Sequence, residues 1–204
     1  MKGGIRGYFI TGRPGVGKST LFSRIIGLLR ERGCTVGGII APEVRREGGR
    51  IGFKLVDLMT GEETWLAVKR QGLEGPRVGR YVVLKDAEIV GARAIERALS
   101  GAHVVGIDEI GPMELLLPGL REAITRALTS GKPVVAVVHY RLRDREPRIY
   151  SLVRSLGPIV ELTEANRDSI LLSCGEVSSG IAEKAGCGQG GEGPNIHTRS
   201  RLIR

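Results

Sequence analysis

Aromatic residues make up only 4% of this chain, with three Phe, four Tyr and one Trp. There is no cluster of exposed rings of the kind that RNA-binding sheets use to stack bases, and no recognisable helix-turn-helix signal. No run of about 18 apolar residues occurs, so no membrane-spanning helix is expected. The start, Met1-Lys2-Gly3-Gly4-Ile5-Arg6, leads straight into an apolar segment and does not read as a signal peptide. Cys34, Cys174 and Cys187 form no CxxC pair and no metal-ligand spacing. An odd, scattered set predicts structural or free thiols in a reducing cytoplasm. Acidic charge is also short: 22 Asp and Glu stand against 31 Lys and Arg, a net charge of +9. That excess fits either a nucleic-acid surface or a thermostable surface combined with an anion site. The basic residues are spread along the whole chain, which does not favour the first.

At 204 residues with 41% hydrophobic content, the chain can build one α/β domain with a full core. Its most informative segment is Gly12-Arg13-Pro14-Gly15-Val16-Gly17-Lys18-Ser19, which fits G-x-x-x-x-G-K-[ST], the phosphate-binding P-loop. Tyr8-Phe9-Ile10 before it reads as a buried strand. Leu21, Phe22, Ile25, Ile26, Leu28 and Leu29 after it recur at helical spacing, and Gly33 supplies a stop. Without Cβ atoms, Gly12, Gly15 and Gly17 can take positive φ and let consecutive N–H groups converge on phosphate oxygens. The helix beginning near Lys18 adds the positive end of its dipole. In this pattern Lys18 reaches the β- and γ-phosphates and the Ser19 hydroxyl ligates Mg²⁺. Pro14 stiffens the loop; Arg13 has no assigned role.

Strand and helix alternate along the rest. Helices are expected over 18–32, 87–99, 120–128, 149–155 and 164–172. Strands are expected over 6–11, 34–41, 81–84, 104–107, 134–138 and 159–162. Between them, 51–58 and 64–68 alternate in polarity around Thr60-Gly61, and Gly48-Gly49 marks a turn before them. Together they predict a β-meander inserted in the α/β frame. A Gly-, Pro- and Arg-rich loop follows at 69–80. From Cys174 the composition shifts to glycine and serine. Residues 1–173 therefore read as the P-loop domain and 174–204 as a disordered tail ending in the basic Arg199, Arg201 and Arg204.

A P-loop needs a carboxylate across the sheet to help hold Mg²⁺. Val104-Val105-Gly106-Ile107 followed by Asp108 fits that pattern, known as Walker B. Glu109, directly after it, is placed to polarise an attacking water. Asp108-Glu109-Ile110-Gly111 also fits the D-x-x-G of GTPases, but no N-K-x-D base-recognition motif follows; Glu164-Ala165-Asn166-Arg167-Asp168 is not one. His139 ends the apolar strand 134–138 and could meet the γ-phosphate or the water if that strand lies between the P-loop strand and the Asp108 strand. Arg141, Arg143, Arg145 and Arg148 are candidate positive partners for the transferring phosphate, or else a solvated face.

These residues together resemble a family. The stretches 12–20, 107–115 (Ile-Asp-Glu-Ile-Gly-Pro-Met-Glu-Leu), 137–139 and 164–168 are similar to the small thermophile nucleoside-triphosphatases related to the human cancer-related nucleoside-triphosphatase. The likeness covers about residues 5–172. It implies a RecA-like fold, a mostly parallel sheet flanked by helices. It also implies Mg²⁺-dependent hydrolysis of ATP, GTP and other nucleoside triphosphates with little base selectivity. The family's two nucleotide-binding segments fall on Gly12–Ser19 and on Val104 to Gly111. Pro112 stands where the family often has a basic residue, and the arginines after His139 depart from the usual pattern. Two other functions use the same loop. A kinase would transfer the phosphate to an acceptor held by 44–68 and 69–80. A nucleic-acid-stimulated ATPase would exploit the +9 charge.

Overall fold

The computed structural model describes residues 6–47 and 49–187. The leading Met1 to Ile5, Gly48 of the expected Gly48-Gly49 turn, and the tail 188–204 with its three arginines lie outside the described residues.

Among the described residues, ten strands form a single sheet. Their order is β10-β1-β9-β8-β2-β4-β5-β7-β6, with β3 beside β4. The parallel part comprises β1 (Gly7–Thr11), β2 (Val36–Ile40), β8 (Val104–Ile110), β9 (Val134–Val138) and β10 (Ile159–Glu161). Side chains on its strands are apolar on both faces because helices cover both. In β1, Phe9 enters one core while Tyr8 and Ile10 enter the other. In β9, Val134, Ala136 and Val138 face the first core, Val135 and Val137 the second, and all five are buried. The first core is closed by α2 (Asp86–Gly101), α4 (Pro118–Thr129) and α6 (Pro147–Leu156), the second by α1 (Lys18–Glu31) and α7 (Arg167–Ala185). Short helices α3 (Pro112–Leu115) and α5 (Leu142–Arg145) follow β8 and β9.

The meander extends this sheet instead of forming a separate layer. Strands β4 (Gly49–Asp57), β5 (Glu63–Val68), β6 (Arg77–Val78) and β7 (Tyr81–Val83) pair antiparallel beyond β2. The polar stretch 44–50 around the expected Gly48-Gly49 turn overlaps a strand, β3 (Glu43–Arg46), paired to β4, and the loop expected at 69–80 contains β6. Both are short edge strands with charged residues, a composition that hides strand character in a sequence. Asp57 ends β4 as a fully buried carboxylate. It accepts from the Met59 amide at 2.7 Å and pairs with Arg97 of α2, which ties the extension to the helix behind it.

The expected end of the folded unit at residue 173 needs correction. Helix α7 runs on to Ala185, and Cys174, Ser178, Ile181 and Ala182 are buried against α1. Arg32 donates to the Gly175 carbonyl at 3.3 Å and to Ser179 Oγ at 3.1 Å. Cys34, at the start of the approach to β2, forms a disulfide with Cys187, their Cα atoms 5.2 Å apart. The helix was hidden because Gly175, Gly180 and several serines have low helix propensity. The serine hydroxyls donate back to carbonyls one turn earlier, as Ser178 does to Gly175. Packing and the covalent link replace propensity here. Of the three cysteines, Cys174 alone is a free thiol.

Candidate active site

The loop between β1 and α1 has the backbone its sequence requires. Gly12, Gly15 and Gly17 have φ of 142°, 83° and 104°. At Gly12 the need is twofold, since a Cβ there would lie 2.4 Å from the Leu162 carbonyl oxygen. Lys18 folds back over the loop and its ammonium donates to the Gly12 and Arg13 carbonyls at 3.0 and 3.1 Å. The positive charge therefore stands at the loop's mouth. Thr11 Oγ1 donates to the Val138 carbonyl at 3.1 Å, fastening the base of the loop to β9.

Strand β9 lies between β1 and β8, the arrangement in which His139 could matter. It puts the carboxyl end of β8 one strand away from the glycine loop. The β8–β9 register slips between Asp108 and Ile110, and the intervening peptide is cis. Asp108 and Ser19 line the same cleft, close enough for the Ser19 hydroxyl to favour the Asp108 carboxylate. Burial pushes its carboxyl up, while the Ser19 hydroxyl and the Lys18 charge pull it down. Glu109 is raised to about 7, first by burial, with Lys18 opposing and Asp108 adding to the rise. Lys18, Ser19, Asp108, Glu109 and His139 line one cleft of about 510 Å³. His139 is held below its ordinary range by burial and by the charges of Arg145, Lys18 and Arg141. Its Nδ1 accepts the Arg141 amide at 3.2 Å, so the neutral ring carries its proton on Nε2.

The second expected segment divides. Asp108 and Glu109 face the cleft, whereas Val104, Val105, Ile107 and Ile110 are buried in the sheet and reach no cleft. Gly106 packs closely under Phe22 of α1 and Leu58. These residues form and pack the strand that carries the two acids. Gly111 has the same kind of role: a Cβ there would meet Glu109 Oε1 at 2.6 Å and Glu114 Oε2 at 3.1 Å. In the loop, Pro14 and Gly15 line the cleft; Val16 is buried. Arg13 is exposed. Of the four arginines, Arg141 and Arg145 act electrostatically on His139, and all four are exposed. Asn166 is used locally: its Oδ1 accepts the Thr163 amide at 2.8 Å and its Nδ2 donates to the Glu161 carbonyl at 2.9 Å.

Sequence reasoning assigned no role to Glu114. It is 4% exposed, and burial beside Glu109 raises its carboxyl to about 8. A protonated carboxyl thus stands behind the Asp108–Glu109 pair. The signal was its place five residues after Glu109, at the start of α3, an acidic residue in an otherwise apolar helix. No group of three or more His, Cys, Asp or Glu is arranged to hold a metal among the described residues. One carboxylate and one hydroxyl are what Mg²⁺ commonly takes from a protein when substrate phosphates and water fill its other positions. Ser19 with Asp108 fits that donor set.

A glycine loop between a parallel strand and a helix, faced by strand-end acids one strand further across, defines a P-loop nucleotide-binding protein. The family model described as NTPase matches residues 7–174, and the chain belongs to that family. It is 45% identical to nucleoside-triphosphatase THEP1 of Hyperthermus butylicus over 88% of this chain and 95% of that protein. It is 51% identical to the THEP1 of Thermofilum pendens over 80% and 90%. Among solved structures, it is similar to THEP1 from the hyperthermophile Aquifex aeolicus, at 32% identity and a TM-score of 0.68, covering 82% of this chain and 95% of that one. A human cancer-related nucleoside triphosphatase matches at 29% identity with the same TM-score, covering 87% and 98%. The fold and family expected from the motifs are therefore borne out.

Proposed function

We propose that this protein hydrolyses nucleoside 5′-triphosphates, ATP and GTP among them, to the diphosphate and phosphate. The observation that carries the reading is the meeting of Asp108 and Glu109 with Ser19 and Lys18 in one cleft. Loop amides and the Lys18 ammonium bind and neutralise the phosphates. Ser19 and Asp108 are the residues that would hold Mg²⁺, which when bound neutralises charge on the β- and γ-oxygens. Glu109 orients a water and takes its proton as the water oxygen attacks the γ-phosphorus. The bond from that phosphorus to the β-phosphate oxygen breaks. With its carboxyl raised to about 7, Glu109 can both accept and release a proton near neutrality. Little base selectivity is proposed as well, because no N-K-x-D motif is present and Asn166 is engaged with its own turn.

A cytoplasmic location is part of the proposal. Among the described residues no helix is long and apolar enough to cross a membrane. A similar protein comes from a hyperthermophile, and intracellular proteins of such organisms are often disulfide-rich, so the Cys34–Cys187 bond is compatible with that location.

Phosphate release from ATP, GTP, CTP and UTP, with Mg²⁺ and with chelator, tests the reading. The expected result is release from all four that chelator abolishes. Release unaffected by chelator would remove the roles given to Ser19 and Asp108, and no release would end the hydrolase reading.

A further inference from the structure

The cleft has Pro14, Gly15, Lys18 and Ser19 at the glycine loop, and its lining extends from them to strands β4 and β6. Beyond Glu109 it is walled by Arg50 and Phe53 of β4, Val78 of β6 and Met113 of α3. The whole cleft, phosphate site included, has a volume of about 510 Å³, within the usual range for small-molecule sites, about 300–1,000 Å³. Phe53 is set rigidly: Tyr81 packs edge-on at 5.3 Å between centroids, and the Arg50 guanidinium lies 5.3 Å from the ring centre. Arg50 is in turn paired with Glu43, which also lines the cleft. One end is thus a flat apolar seat with a charged, hydrogen-bonding rim.

The direction of that seat follows from in-line displacement. The attacking oxygen must approach the γ-phosphorus from the side opposite the β-phosphate. With Lys18 on the β- and γ-phosphates, as proposed above, the γ-phosphate would face Asp108 and Glu109 and the rest of the triphosphate would lead away from them over the start of α1. The chain beside Gly12, Leu162 to Asn166, contributes nothing to the cleft lining. The space from Glu109 to Phe53 is therefore on the attacking side, where a second substrate would sit and the donor's nucleoside would not.

We infer that the cleft beyond Glu109 binds a small acceptor of the nucleoside or nucleoside-monophosphate class, and that the protein transfers the γ-phosphoryl group to it. The inference rests on the phosphate-loop reading given above. The acceptor's ring stacks on Phe53 between Val78 and Met113, and its polar groups meet the Glu43–Arg50 pair. An acceptor hydroxyl or phosphate oxygen forms the new bond to the γ-phosphorus, and any proton it carries passes to Glu109. The bond to the β-phosphate oxygen breaks and the nucleoside diphosphate leaves. With the seat empty, water takes the same position and the outcome is hydrolysis.

The test uses the full chain with Mg²⁺ and ATP carrying a radiolabelled γ-phosphate. Adenosine, guanosine, cytidine, uridine, thymidine and their 5′-monophosphates are added singly, and products are separated by chromatography. The expected result is a labelled organic phosphate from at least one probe. Phe53→Ala should lower that transfer about tenfold or more, the loss of roughly 1.4 kcal/mol of stacking, while acceptor-free phosphate release stays within about twofold. Phe53→Leu, which keeps apolar volume, controls for folding and should lose transfer by less. Normal phosphate release with no labelled product from any probe overturns the acceptor site and leaves the hydrolase reading standing. A raised KM for ATP in Phe53→Ala also overturns it, because the cleft would then hold the donor's own base. Absence of phosphate release without acceptor, together with efficient transfer, would overturn the hydrolase reading and support the acceptor site.

Discussion

From β10 to β2 every neighbouring pair of strands runs parallel; from β4 outward every pair runs antiparallel. In the parallel half, crossover helices force strand ends and helix starts to gather at one edge. Backbone N–H groups, Lys18 and the two acids meet there. In the antiparallel half, hairpins connect the strands, the helix that follows them, α2, adds no residue to the cleft lining, and the strands supply wall and rim. The difference teaches a division of labour within one continuous sheet. The first half carries the glycine loop, Lys18 and the two acids; the second adds Arg50, Phe53 and Val78 to the wall of the same cleft.

That division can be broken by substitutions on either side. The largest effect is expected from Lys18→Ala, which should lower hydrolysis about a thousandfold through lost phosphate-charge stabilisation while melting as the parent does. Phosphate release and thermal melting check both parts. Cys34→Ser should leave turnover at 25 °C unchanged but remove about 3 kcal/mol of stability, read from denaturant unfolding without reductant. Equal unfolding midpoints would mean that Cys187 is not linked in solution. Glu109→Gln should bind nucleotide normally and turn over about a hundredfold more slowly; unchanged turnover would remove Glu109 from the chemistry.

Asp57→Ala, in the antiparallel half, should cost about 2 kcal/mol by stranding Arg97 and the Met59 amide. Its kcat for hydrolysis should not change, and a fall in kcat beyond about threefold would blur the two halves. The smallest effect is a matter of pH. Glu114 is protonated in the fold up to about 8, whereas in the unfolded chain it ionises near the ordinary glutamate value, 4.5. Between those values the folded state binds more protons, so this residue's contribution to stability declines as pH rises. Glu114→Gln should flatten the decline between pH 6 and 8 by on the order of 1–2 kcal/mol. An unaltered slope in unfolding at several pH values would show that Glu114 is already ionised.

Much of the parallel half was legible because its local chemistry is obligatory. Gly12, Gly15 and Gly17 announce a backbone with positive φ, and the β-branched run Val134 to Val138 reads as a strand buried on both faces, as it is. The meander was legible as alternation, but its attachment to the edge of the main sheet was not, since β2–β4 pairing is a long-range choice that period alone does not express. Glu114 was hidden because its state depends on burial beside Glu109, which only the fold supplies. The helix over 174–185 was missed for the opposite reason: its local preferences are poor, and contacts with α1 decide it. The cysteine pair went unread because Cys34 and Cys187 stand 153 residues apart.

That separation means the polypeptide is closed into a ring embracing three-quarters of its length. A single backbone cut anywhere between residues 34 and 187 would yield two pieces that still migrate as one molecule until a thiol reagent is added. Limited proteolysis followed by electrophoresis with and without reductant would therefore register surface nicks as a change in mass only in the reduced lane.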